Sequence, residues 1–150
     1  MLDTPVHPGR TAGGTAVEMA EWLLPVADYA AARDVTLVVE NALYFRRAKE
    51  LWMLLEAIGH PAVGVAWDLE SATRAGESSA VSVPTLNLRI QYARVAWGPG
   101  AVEEFMRRLK GIGYGGYVTV SGAVEEVLAD AAVRLRGWIE PPAAKPVRRA

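Results

Sequence analysis

AVGVAWD (62–68) is a run of small and apolar residues that stops at a carboxylate. A near-continuous apolar run of this length is what a strand buried on both faces of a parallel sheet requires. Three similar stretches accompany it: VTLVVE (35–40), RIQYARVAW (89–97) and GYVTVS (116–121). In the third, Gln91 and Arg94 interrupt the apolar character. The spacing is regular: Val35 to Val63 is 28 positions, Val63 to Ile90 is 27, and Ile90 to Tyr117 is 27. A (β/α)8 barrel of about 250 residues spends roughly 30 per unit, so this is the spacing of βα repeats.

The segments between the strands read as helices. Thr15-Ala-Val-Glu18 has the pattern of a capping box and predicts a helix to about Arg33, with Pro25 expected to kink or interrupt it. A helix over Phe45–Ile58 is predicted from its apolar spacing, with Gly59 as its stop. Two more are predicted over Pro99–Ile112 and Ala123–Ile139, the last followed by Pro141 and Pro142. Residues 71–88 are rich in Ser and contain Pro84, which predicts a loop with only a short helix. The expected architecture is α/β: parallel (β/α) repeats in a four-stranded, partial (half) TIM barrel, one domain over 1–140 with a Pro-rich, basic tail at 141–150.

Composition excludes several classes. The chain has 150 residues, 51% hydrophobic and 22% charged, enough for one globular domain with a sizeable core. A net charge of -1 gives no basic surface of the kind nucleic acid demands, and neither nucleic acid nor membrane is an expected partner. No apolar run approaches the roughly 20 residues of a membrane span. MLDTPVHPGR has no apolar signal-peptide core, and the absence of cysteine excludes disulfides and thiolate metal sites; both fit a cytoplasmic protein.

LVVENA (37–42), VGVAWDLESA (63–72), YARVAWG (92–98) and KGIGYGGYVTVSG (110–122) together resemble the last four βα units of the xylose isomerase-like TIM barrels. That group includes sugar phosphate isomerases and epimerases and the related apurinic endonucleases. HPG (7–9) resembles the end of that family's strand four, so the likeness covers the C-terminal half of its barrel. It implies a divalent metal, Mn²⁺ or Mg²⁺, held at strand ends by Glu, Asp, His and Glu, with a further His three residues after the Asp. Carried onto this sequence, the first Glu falls on Glu40, which would also be the catalytic base, and the Asp on Asp68. The strand-seven His falls on Arg94, the strand-eight Glu on Ser121 and the motif His on Ser71. Two of four ligands are kept.

These replacements change the chemistry. At an effective dielectric of about 20, a guanidinium some 4 Å from a divalent cation is repelled by roughly 8 kcal/mol. Arg94 is therefore expected to take the metal's place and pair with Glu40 or Asp68. Ser121 cannot act as a carboxylate base. As substrate contacts for a sugar or sugar phosphate, the candidates are Arg94, Trp67, Trp97, Ser121 and His7. Each has a plainer reading: an ion pair for Arg94, packing for the tryptophans, helix capping for Ser121, an exposed terminus for His7. His60, before a strand, lies at the end of a barrel where no chemistry is expected. GYGG (113–116) precedes a strand and so is not a phosphate loop.

The expected function is that of a sugar phosphate isomerase/epimerase-like protein with a degenerate metal site, serving as a non-catalytic binding or interaction module. The alternatives are a metal-dependent sugar isomerase or epimerase completed by oligomerisation, and a truncated relic without activity. An open four-stranded sheet exposes two edges and an apolar face, so self-association is expected, as a two-fold dimer closing an eight-stranded barrel.

Overall fold

A computed structural model describes residues 12–96, 101–122 and 125–139. The order is α1 (Ala12–Ala31), β1 (Leu37–Glu40), α2 (Ala48–Ile58), β2 (Val63–Asp68), α3 (Leu69–Arg74), α4 (Ser79–Leu86), a 3-10 turn (Asn87–Arg89), β3 (Ile90–Ala96), α5 (Ala101–Gly111), β4 (Tyr117–Ser121) and α6 (Glu125–Ile139). The strands form one parallel sheet in the order β1-β2-β3-β4. Each predicted strand lies within two residues of its expected bounds. This is a partial α/β barrel.

The two faces of the sheet differ completely. Alternate residues of a strand point to opposite sides. Leu37 and Val39, Val63, Val65 and Trp67, Ala93 and Val95, and Val118 and Val120 join the core under the helices. The helices contribute Leu51, Leu54 and Leu55 from α2, Val83 and Leu86 from α4, and Phe105, Met106 and Leu109 from α5. Among the described residues no helix covers the opposite face, and there Val38 and Tyr117 are exposed. A barrel's interior face looks like this when its other strands are not alongside.

The helices depart from expectation in three places. Thr15 is not a cap, because α1 already includes Ala12, and the helix runs on through Pro25. Ala16, Ala20 and Ala27 pack inward while Pro25 sits exposed, so tertiary burial outweighs the single lost hydrogen bond. α2 begins at Ala48, not Phe45; its first amide is capped from a distant loop by the Glu77 carboxylate, at 3.0 and 3.2 Å. Burial raises the Glu77 carboxyl above its ordinary value, against the smaller opposing pull of that Ala48 bond. Residues 69–89 form two helices and a turn, not a loop, and the buried Leu69, Ala72, Val83 and Leu86 account for it. α5 and α6 are described from Ala101 and Glu125, and Pro99, the 141–150 tail and the strand-four stub lie outside the described residues.

Gln91 interrupts the third strand for a physical reason. The β2–β3 register shifts at this point, Val65 pairing with Ile90 and Ala66 with Tyr92, so Gln91 is a bulge residue. The bulge crowds both neighbouring strands. A Cβ at Gly64 would collide with the Gln91 side chain, and a Cβ at Gly116 with the Gln91 carbonyl and the Tyr114 ring. The Tyr114 hydroxyl donates to the Tyr117 carbonyl at 2.7 Å, and burial pushes its phenol up to about 12.

Gly116→Ala is expected to destabilise the protein by about 1–3 kcal/mol through overpacking against backbone. Gly115→Ala, which meets nothing within 4 Å, should stay within about 0.5 kcal/mol. Urea unfolding of the two variants checks this. Because the Tyr114 phenol is raised above its unfolded value of 10.0, its contribution to stability is complete below that pH and is lost as pH rises through about 12. An absorbance titration should show one tyrosine ionising near 12, a transition absent from Tyr114→Phe.

Candidate functional site

The C-terminal ends of the strands bring Glu40, Asp68, Arg94 and Ser121 onto the uncovered face. The register places them: Glu40 pairs with Ala66, Asp68 with Arg94, and Ala96 with Ser121. Arg94 Nη1 donates to Glu40 Oε1 at 2.8 Å and reaches Asp68 Oδ2 at 3.4 Å. The first contact crosses two strand spacings, about 10 Å of sheet. Alternate strands sharing one layer of side chains is the packing rule of a barrel interior. The cluster is partly open, with side-chain exposures of 38% for Arg94, 31% for Glu40 and 17% for Asp68.

Asp68 is held on its other side as well. It caps α3, its Oδ1 accepting from the Ser71 amide at 2.9 Å. The Ser71 hydroxyl donates to the Asn41 carbonyl at 2.8 Å. Asn41, fully buried, closes the arrangement. Its Nδ2 donates to the Asp68 carbonyl at 2.9 Å, and its Oδ1 accepts from the Asp68 amide at 2.5 Å. The side-chain amide thus extends the β1–β2 ladder beyond Glu40 and sets the position of Asp68. Asn41 was not among the sequence candidates. Its signal was an amide directly after a strand-end acid, in a stretch of otherwise apolar character.

The remaining candidates separate. Ser121 is exposed on the cluster's face, and its hydroxyl donates to the Val95 carbonyl at 3.4 Å. Trp67 points the other way: it is fully buried in the helix-side core and cannot stack on a sugar at this face, because odd and even positions of β2 face opposite sides. Its indole nitrogen is buried without a hydrogen-bond partner. His7 and Trp97 lie outside the described residues. His60 Nε2 lies 3.4 Å from Asp28 Oδ1, and its Nδ1 accepts from the Ala62 amide, so it ties α1 to the loop before β2. Among the described residues, no group of three or more His, Cys, Asp or Glu comes together in a way that could hold a metal ion. No described helix is long and apolar enough to cross a membrane.

Asn41→Ala would strand the buried amide and carbonyl of Asp68 without partners. The expected cost is about 2–4 kcal/mol, measured by denaturant unfolding. Ser71→Ala, which keeps the backbone cap on Asp68, should cost about 1 kcal/mol.

No protein-family model matches the chain, and no curated relative matches it. Solved structures do. A D-psicose 3-epimerase determined in the presence of D-fructose matches with a TM-score of 0.77 at 17% identity, over 92% of this chain and 60% of that one. A D-psicose 3-epimerase with D-tagatose, from Clostridium cellulolyticum H10, matches with a TM-score of 0.72 at 20% identity, over 91% of this chain and 61% of that one. A 3-keto-D-glucoside 4-epimerase from E. coli gives a TM-score of 0.72 at 14% identity, covering 90% and 58%. The chain thus has the fold of the xylose isomerase-like TIM-barrel sugar epimerases, as a partial barrel spanning about 60% of the length of the chains it matches.

Proposed function

We propose that this protein is a non-catalytic binding or interaction module built on a sugar-epimerase fold, with a sugar or sugar phosphate as its ligand class. The observation that carries the reading is the Arg94 guanidinium, 2.8 Å from Glu40 and 3.4 Å from Asp68. A divalent cation bound by those two carboxylates would need the space and the negative charge that Arg94 already uses. The residues present therefore do not fit a resident Mn²⁺ or Mg²⁺. Both candidate carboxylates are already engaged by that guanidinium, whose positive charge opposes a cation beside them.

The cluster suits a polar ligand instead. A guanidinium has five N–H donors, and both ion pairs use Nη1 alone. The carboxylates, 31% exposed at Glu40 and 17% at Asp68, can accept from hydroxyls. A planar donor beside two acceptors is the pattern that recognises vicinal hydroxyls. The cytoplasm is the compartment we assign, on the cysteine-free composition. A second copy of the chain is the protein partner we assign, since β1 and β4 are edge strands and the sheet face between them is uncovered.

Calorimetric titration of Mn²⁺ into the folded protein should show no saturable binding. The double variant Arg94→His, Ser121→Glu should bind Mn²⁺ in the micromolar range, since it restores the ligand set that the resemblance implies. Micromolar binding by the unaltered protein would overturn the proposal in favour of a working metal-dependent isomerase. A ketohexose phosphate should bind the unaltered protein, and Arg94→Ala should weaken it at least about tenfold.

A further inference from the structure

Bulky branched apolar residues fill the interior of an ordinary barrel. Among the described residues of the uncovered sheet face, Val38 alone is of that kind. Small and hydroxylated side chains take the remaining space: Gly64 and Ala66 on β2, Tyr92 on β3, Thr119 and Ser121 on β4. Ala66 lies at the bottom of a four-sided depression. Its register partners are Glu40 on β1 and Tyr92 on β3. Toward the strand ends, the Arg94 guanidinium crosses from β3 to Glu40 at 2.8 Å. Toward the strand starts, the Gln91 side chain lies over Gly64, and its Nε2 donates to the Leu88 carbonyl at 3.1 Å. The Tyr92 and Thr119 hydroxyls, both half-buried, lie 2.7 Å apart, and either can be the donor. Among the described residues neither has another hydrogen-bond partner. Two hydroxyls carry two protons, and the bond between them uses one. Whichever donates, one proton is left over on the side of the depression.

We propose that Ala66 and the Tyr92–Thr119 pair form the floor of the strand-end site and determine which polyol it accepts. Each part of the depression has a separate task. Vicinal hydroxyls of the ligand donate to Glu40 and Asp68 at the rim. A carbon face of the ligand rests on the Ala66 methyl, beside the Tyr92 ring. A ligand oxygen turned toward the sheet accepts the proton left over by the hydroxyl pair. Concave sites of this kind owe their specificity to a few placed polar groups on an otherwise apolar lining. A site built to hydrogen-bond one oxygen rejects an analogue that lacks it, because its own polar group is then shut away from water without a partner. The inference rests on the ligand reading above and deepens it, adding the residues that select among polyols to those that hold the rim.

Calorimetric titration of the whole chain with D-fructose and with a fructose phosphate tests this. The unaltered protein should bind at least one of them. The double variant Tyr92→Phe, Thr119→Val keeps both shapes and removes both hydroxyls, and should bind that ligand about tenfold more weakly. Among analogues of the ligand that lack one hydroxyl, the one whose missing oxygen faces the pair should bind the unaltered protein about tenfold more weakly than the parent. It should lose nothing further in the double variant, whereas a pair that only braced the sheet would weaken every analogue alike. Ala66→Leu fills the floor from the uncovered face, away from the core under the helices. It should keep its circular dichroism and weaken binding at least about tenfold, and it decides the matter if the double variant does not fold. Undiminished binding by either variant in its folded form would overturn the floor and leave the Arg94 cluster as the ligand site. No binding of either sugar by the unaltered protein would overturn the ligand reading and the floor with it.

Discussion

One dry layer holds this protein together: the contact between the inner side of four short parallel strands and the helices that cross over them. Trp67, Phe105 and three leucines of α2 fill it. Strands of four to seven residues have little stability as a sheet of this size without such cover. The α1 helix keeps its course through Pro25 because of this layer. So does the segment after β2, where Leu69, Ala72, Val83 and Leu86 draw a Ser-rich stretch into helices. Polar composition predicted a loop there; the apolar residues were few but correctly spaced.

The other side of the sheet obeys different physics. With no helix among the described residues over it, the side chains at its strand ends answer to charge and hydrogen bonding. Glu40 and Asp68 lie near enough to repel each other, and Arg94 relieves the repulsion by pairing with both. This cluster is half-solvated, so its worth to stability is small and screened by salt. Its consequence is chemical. The guanidinium takes up the negative charge of both acids through its own hydrogen bonds. Asn41 and Ser71 hold Asp68 from behind, so the acid keeps its place whichever cation it faces.

Much of this was legible beforehand, for identifiable reasons. Apolar runs at a 27–28 residue interval specify parallel βα units, and the four strands were placed within two residues. The Arg94 pairing followed from electrostatics once the strand ends were aligned. The Asn41 network was not legible, because a lone Asn after a strand has many uses and only the register shows which carbonyl it meets. Trp67 and Asp68 are adjacent in sequence, yet one is core and the other site; the phase of the pleat separates them.

The order of strands and helices, the parallel sheet and the residues at the strand ends were determined by local pattern: apolar period, glycine stops and carboxylates that break an apolar run. Which atoms meet was settled by the folded chain alone. The bulge at Gln91 makes glycine necessary at 64 and 116, Arg94 reaches Glu40 across β2, and Glu77 caps a helix 29 positions away. These depend on distances between segments remote in sequence. Local preference carries no information about such distances; burial and backbone hydrogen bonding impose them together.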